Sequence, residues 1–154
     1  MVRFLIFFLI FSFTVFGVED KKEPIVIESD TLEYLKKENM VIYKGNVVVK
    51  KGDFILKSNL LRIFLDKKGQ IKKILALGNV RFEKGNRKGR SDKAEYYKDK
   101  NFLILIGNAE LQQNNNIIEG DEIVYYLDTE KAEVKGKNKR VRTIFFPEEK
   151  GKER

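Results

Sequence analysis

The stretch that opens Ser29-Asp30-Thr31-Leu32-Glu33-Tyr34 and closes Gly45-Asn46-Val47-Val48-Val49 is written again 62 residues later, as Ser91-Asp92-Lys93-Ala94-Glu95-Tyr96 and Gly107-Asn108-Ala109-Glu110-Leu111. A chain that repeats both its turn residues and its apolar alternation repeats a structural unit. Echoes at half that period, Ser58-Asn59 and Gly120-Asp121 in one series and Gly78-Asn79 and Gly136-Lys137-Asn138 in the other, fall 29 or 33 residues apart. Both longer intervals contain Lys67-Lys68-Gly69-Gln70, which has no counterpart in the second half and reads as a longer hairpin turn.

The repeat unit is built of strands. Val41, Tyr43, Val47 and Val49 share one parity around Gly45, as Leu103, Leu105, Ala109 and Leu111 do around Gly107, which is the period of two of half-buried strands. Phe54, Leu56, Leu61, Ile63 and Leu65 continue the alternation, followed by Ile74, Ala76, Val80 and Phe82, then by Ile118, Ile123, Tyr125 and Leu127. Short turn makers such as Lys51-Gly52-Asp53, Lys84-Gly85-Asn86, Gln113-Asn114-Asn115 and Asp128-Thr129-Glu130 separate these runs, so the expectation is a meander of nine to eleven long strands. The internal Gly-Asn pairs read as bulges that bend a long strand, with tight hairpin turns as the alternative.

Arg3, the apolar run Phe4 to Phe11 and the small residues near Gly17 have the form of an export signal peptide, expected to span 1–17 with cleavage after Gly17. The run is short of the roughly 20 apolar residues of a membrane-spanning helix. A retained N-terminal anchor is the competing reading. The remaining boundaries are a linker over 18–24, one domain over 25–146 and a charged tail over 147–154. The chain contains no cysteine, so packing and ladder hydrogen bonds hold the fold.

With no His and no Cys there is no ordinary nucleophilic triad and no His-rich metal site, and no cofactor is implied. The carboxylates Asp30, Glu33, Asp92, Glu95 and Asp121 recur at repeat-equivalent positions, as turn and strand-edge residues do, whereas an acid and base pair needs two different environments. The residues therefore point away from an enzyme. The net charge of +8 falls to +7 without residues 1–17. An anionic head group or membrane surface suits such charge in an exported chain better than nucleic acid. The densest run, Lys135, Lys137, Lys139, Arg140 and Arg142, is the candidate contact, or else a solubilising edge.

Taken in order, the phrases Ser-Asp-x-x-Glu-Tyr, Tyr43-Lys44-Gly45-Asn46-Val47, Gly52-Asp53-Phe54-x-Leu56, Ala76-Leu77-Gly78-Asn79-Val80 and Gly120-Asp121-x-Ile123-x-Tyr125 resemble the OstA-like/LptA family of periplasmic lipopolysaccharide-transport proteins. The resemblance runs from about Ile25 to Phe146. It implies an all-β fold, an elongated, twisted, slightly open antiparallel β-jellyroll with a hydrophobic groove. It also implies a non-catalytic periplasmic role: carrying lipopolysaccharide by its lipid A portion, stacking head to tail, and meeting jellyroll domains of an inner-membrane anchor and an outer-membrane translocon. The alternatives are a membrane-tethered (LptC-like) jellyroll partner and a structural β-repeat that binds no lipid.

Physics alone supports a sheltered path. Exposing an acyl chain of a dozen carbons to water costs on the order of 10 kcal/mol. The candidate groove-lining residues are those of the inward parity: Leu32, Tyr34, Val41, Tyr43, Val47, Val49, Phe54, Leu56, Leu61, Ile63, Ile74, Val80, Phe82, Tyr96, Leu103, Leu105, Ile118, Ile123 and Tyr125. Alternation marks burial and does not separate a lined groove from a filled core.

Overall fold

The structure, a computed structural model, describes residues 23–126, 128, 129 and 131–147. The expected leader over 1–17 and all of the expected tail except Pro147 lie outside the described residues. What is described is all β, without a helix: β1 (Val26–Glu28), β2 (Thr31–Leu35), β3 (Met40–Lys51), β4 (Phe54–Leu65), β5 (Ile71–Lys84), β6 (Arg87–Tyr97), β7 (Phe102–Gln113), β8 (Asn116–Tyr126), β9 (Lys131–Lys135) and β10 (Arg142–Ile144).

These strands form one antiparallel sheet in near-sequential order from β3 to β8. The long strands run 11–14 residues, about 35–45 Å at the usual rise. The ten strands fall within the expected nine to eleven, but only six are long, because each margin of the sheet is one strand broken in two. β1 and β2 both lie on β3, and β9 and β10 both lie on β8. No ladder joins the two margins among the described residues, so the sheet is open.

The turns follow the repeat. Asn39 and Asn101, 62 residues apart, both adopt a left-handed φ, 52° and 53°, at the ends of the turns after β2 and β6. Asparagine tolerates that region because its short polar side chain satisfies the local backbone. The inserted Lys67–Gln70 segment is the long β4–β5 hairpin. The Asp66 carboxylate accepts the Lys68 and Gln70 amides at 2.8 and 2.9 Å. The Gln70 amide contributes most to holding that carboxyl below its ordinary range, against a smaller opposing effect of desolvation.

The Gly-Asn pairs are bulges inside strands, as the parity on either side predicts. Gly45, Gly78 and Gly107 have φ of 84–86° and the following asparagines 47–48°, and the ladder register shifts at each pair. The two repeated phrases turn out to be halves of one device, since the Ser-Asp member faces the Gly-Asn member across the ladder. A Cβ on Gly45 would meet Asp30 Oδ2 at 2.4 Å, one on Gly78 would meet Asn59 Nδ2 at 2.4 Å, and one on Gly107 would meet Asp92 Oδ2 at 2.5 Å. Asn46 and Asn108 donate to those same carboxylates at 3.0 and 3.1 Å. Ser29, Ser58 and Ser91 each donate to the carbonyl two residues on, at 2.8–3.0 Å. The fourth echo differs. Gly136-Lys137-Asn138 lies between β9 and β10, where three successive amides, of Lys137, Asn138 and Lys139, converge on Asp121 at 2.5–2.9 Å.

Each long strand is thus bent at one level into an upper half, towards the Asn39 and Asn101 turns, and a lower half, towards the Gly52, Gly85 and Asn114 turns. The core lies on one face and draws on both halves, with Val41, Leu105 and Ile123 above the kinks and Val47, Val49 and Val80 below all 2% exposed or less.

Candidate functional site

Cross-strand register places every candidate groove residue on this one face. Leu32, Tyr43, Leu61, Ala76, Ala94, Leu105, Ile123 and Val134 form a continuous row across eight strands. Tyr34, Val41, Ile63, Ile74, Tyr96, Leu103 and Tyr125 form the next. Below the kinks, Val49, Leu56, Phe82, Gly89, Leu111 and Ile118 make a third row, with Val47 and Val80 nearer the bend and Phe54 nearer the hairpin tips. Directly paired residues of an antiparallel ladder project to the same side, so these rows are contiguous apolar surface.

Exposure along the rows is uneven. Val41, Tyr43, Val47, Val49, Leu61, Ile63, Ile74, Val80, Tyr96, Leu105 and Ile123 are buried. Tyr34, Phe54, Leu56, Phe82, Leu103 and Tyr125 are half-buried. Leu32 is 47% and Ile118 36% exposed, although their direct partners are buried Tyr43 and half-buried Leu111. The centre of the face is therefore packed on itself, and towards the margins the same apolar surface emerges into solvent.

The β6 contribution was not legible as an apolar run, because its inward positions are small or polar: Gly89, Ser91 and Ala94 precede Tyr96. At Gly89 the missing side chain makes room for the cross-strand Phe82 ring, which an added Cβ would meet at 2.3 Å. An aromatic ring covering a glycine on the adjacent strand replaces the contact a side chain would have made. Burial pushes the Tyr43 phenol up, and burial together with Asp128 pushes Tyr96 up to about 12. Both phenols stay neutral in the interior.

The candidate carboxylates are engaged locally. Glu33 pairs with Lys44 at 3.4 Å, and Glu95 with Lys93 at 3.3 Å and the Tyr97 hydroxyl at 2.5 Å. Partial burial opposes the Glu95 charge, yet the Tyr97 and Lys93 hydrogen bonds prevail and hold its carboxyl below the ordinary range. Among the described residues no cluster of His, Cys, Asp and Glu suits a metal. The basic run is largely spoken for: Lys137 pairs with Glu122, Lys139 donates to Asn108, and Arg142 pairs with Glu119. Lys135 and Arg140 have no side-chain partner among the described residues.

The upper half also carries apolar residues on its outer face, opposite the inward parity. Ile42 and Val124 are 8% and 6% exposed there, and the Tyr97, Phe102 and Tyr126 rings touch in sequence at 5.2 and 5.8 Å between centroids. Lys73 and Lys131 lie over rings of that row at 5.1 and 5.8 Å.

An open antiparallel sheet, bent along one level and packed mainly on one apolar face that surfaces at its margins, defines the class as a β-jellyroll, the architecture that the family resemblance implied. The chain belongs to the family described as LptA/(LptD N-terminal domain) LPS transport protein, whose profile matches residues 26–131. The lipopolysaccharide export system protein LptA of Escherichia coli (strain K12) is 32% identical over 146 residues, covering 88% of this chain and 77% of that protein. The LptA of Haemophilus influenzae is 30% identical over 156 residues, 95% of this chain and 91% of its own length. LptH of Pseudomonas aeruginosa is 26% identical over 113 residues, and the match spans 65% of that relative, just under two thirds. The crystal structure of LptH, described as the LptA-homologous periplasmic component of a lipopolysaccharide transport device, superposes with a TM-score of 0.71 at 23% identity, over 84% of this chain and all of that one. That likeness is one of fold.

Proposed function

We propose that this chain is a periplasmic lipopolysaccharide-transport protein that shelters acyl chains against its inner face and takes part in moving them between the two membranes. The observation that carries this reading is the uncovering of the inner face at its margins, at Leu32 and Ile118, while the centre stays packed. A sheet that served only as scaffold gains nothing from leaving large apolar side chains open on its buried side. An acyl chain laid along these rows replaces water at the exposed positions first and reaches the closed centre only by parting side chains there. Membership of the family and the export-protein names of its relatives support the same reading.

The lipid A portion is the ligand, and no covalent step is required of the protein. Lys135 and Arg140 are its head-group contacts at the β9–β10 margin. The unpaired backbone of β1–β2 and of β9–β10 is the surface for adding a further jellyroll, whether a second copy or the corresponding domains of the membrane-bound partners. Export by a cleaved leader places the chain in the periplasm.

The test is site-specific photo-crosslinking to lipopolysaccharide in envelopes, with the probe at Leu32 or Ile118 and, as outward neighbours, at Glu33 or Glu119. Labelling at the first pair and not the second is expected. Equal labelling at all four, or none at Leu32 and Ile118, defeats the reading.

A further inference from the structure

Three cations stand side by side on the outer face of the lower half. Lys57 is the direct cross-strand partner of Arg81, and Arg81 of Arg90. Side chains so opposed have Cβ atoms about 5 Å apart, and like charges there destabilise a sheet. Several other outer-face cations are paired with carboxylates, as Lys44 is with Glu33 and Arg142 with Glu119, or lie over rings, as Lys73 does. In this row only Arg90 is matched, its Nε and one terminal nitrogen both at 3.0 Å from Glu110 Oε1. Lys57 and Arg81 have no side-chain partner among the described residues.

The row borders a cleft of about 260 Å³ that Ile55, Glu83 and Glu110 also line. Arg81 and Arg90 are shared with an adjoining cleft of similar size, which reaches Asn79, Asn108 and Lys139. The carboxylates nearby are mostly committed: Glu110 to Arg90, Asp92 to Asn108 and Glu119 to Arg142. Glu83, the remaining one, lies one row away opposite Lys88. An arrangement that costs the sheet stability, next to a cavity, is what a site for an anion looks like before it is filled.

We propose that Lys57, Arg81 and Arg90 form a phosphoryl-binding site, taking a phosphate monoester of a sugar or of a lipid head group. A dianion offsets the crowded charge, and a guanidinium fork matches phosphate oxygens in geometry as well as charge. The row projects to the face opposite Leu56 and Phe82, so a lipid held inside does not present its own phosphate here. The inference stands independently of the acyl-chain reading.

The test is thermal melting of the full chain in chloride and in inorganic phosphate at equal ionic strength, repeated with glucosamine 1-phosphate, with sedimentation on phosphatidic acid and phosphatidylcholine vesicles alongside. Phosphate is expected to raise the midpoint of the native protein above its value in chloride. Arg81→Gln is expected to weaken that effect by about tenfold in phosphate concentration. In chloride the same variant melts at or above the native midpoint, because a repelling charge is gone, and this separates the site from a structural role. Lys57→Gln repeats the pattern more weakly, and the turn variant Lys67→Gln changes nothing. A gain with the sugar phosphate alone identifies a glycan source. Sedimentation with phosphatidic acid that Arg81→Gln abolishes identifies a lipid head group. Equal phosphate effects in the native protein and Arg81→Gln, or no phosphoryl probe exceeding chloride, overturn the proposal.

Discussion

Replacing Gly107 by alanine tests whether the kinks are held by backbone conformation, by the facing carboxylate, or by both. Gly107 has a φ of +86°, and a Cβ there would lie 2.5 Å from Asp92 Oδ2. The left-handed conformation costs a non-glycine residue about 1–2 kcal/mol. Asp92 must also move, which breaks its hydrogen bond with Asn108 at 3.1 Å, worth about 1 kcal/mol net. The sum is about 2–3 kcal/mol, or a fall of about 10 °C in the melting midpoint for a domain of this size. Gly85 provides the comparison: its φ is +62°, but the nearest atom to an added Cβ is 4.0 Å away. Gly85→Ala therefore incurs the conformational part alone, about 1 kcal/mol. Urea unfolding followed by far-ultraviolet circular dichroism gives both values. In Gly107→Ala combined with Asp92→Ala, the loss is expected to fall short of the sum of the single losses by about 1 kcal/mol. Equal losses for Gly85→Ala and Gly107→Ala, or strict additivity with Asp92→Ala, refute the steric half of the argument.

Leu105→Ala, at 2% exposure in the packed centre, is expected to lose about 2–5 kcal/mol, whereas Val26→Ala at the exposed margin loses less than about 0.5 kcal/mol by the same denaturation assay. Gly89→Ala forces the Phe82 ring aside and is expected to cost about 1–3 kcal/mol, part of which Phe82→Leu restores; no recovery counts against the ring-over-glycine contact. The folded-state carboxyl pKa values of Asp66 and Asp121 are lowered. Their stabilisation is thus present above the ordinary carboxylate range near pH 4 and lost as pH falls through the lower folded values. Asp66→Asn and Asp121→Asn should each flatten the acid limb of a stability-against-pH curve measured from pH 5 to pH 2, and leave its slope above pH 6 unchanged.

Strands such as β3 and β7 were legible because valine and leucine alternate on either side of a Gly-Asn pair, and a period of two survives a bulge that keeps parity. β6 was not, since Gly89, Ser91 and Ala94 occupy its inward positions and no apolar run announces it. The layout of the margins was not legible either, since only the ladder on β3 shows β1 and β2 to lie along one line. The inward set was readable as a face but not as a gradient, because the exposure of Leu32 depends on which strand is outermost. The cationic row was invisible for a stronger reason. Lys57, Arg81 and Arg90 are 24 and 9 residues apart in the chain, and only the pairing of β4 with β5 and β5 with β6 sets them side by side.

The Gly-Asn bulges fall at one level across the sheet, so they act as the spine of an open book whose two pages share a single hinge line. No strand can change its bend without its hydrogen-bonded neighbours doing the same. Opening the angle between the pages is therefore a collective motion that leaves the ladders intact and widens the whole interior at once. The acyl chain proposed above would then meet side chains that part together along the hinge line, not one strand at a time.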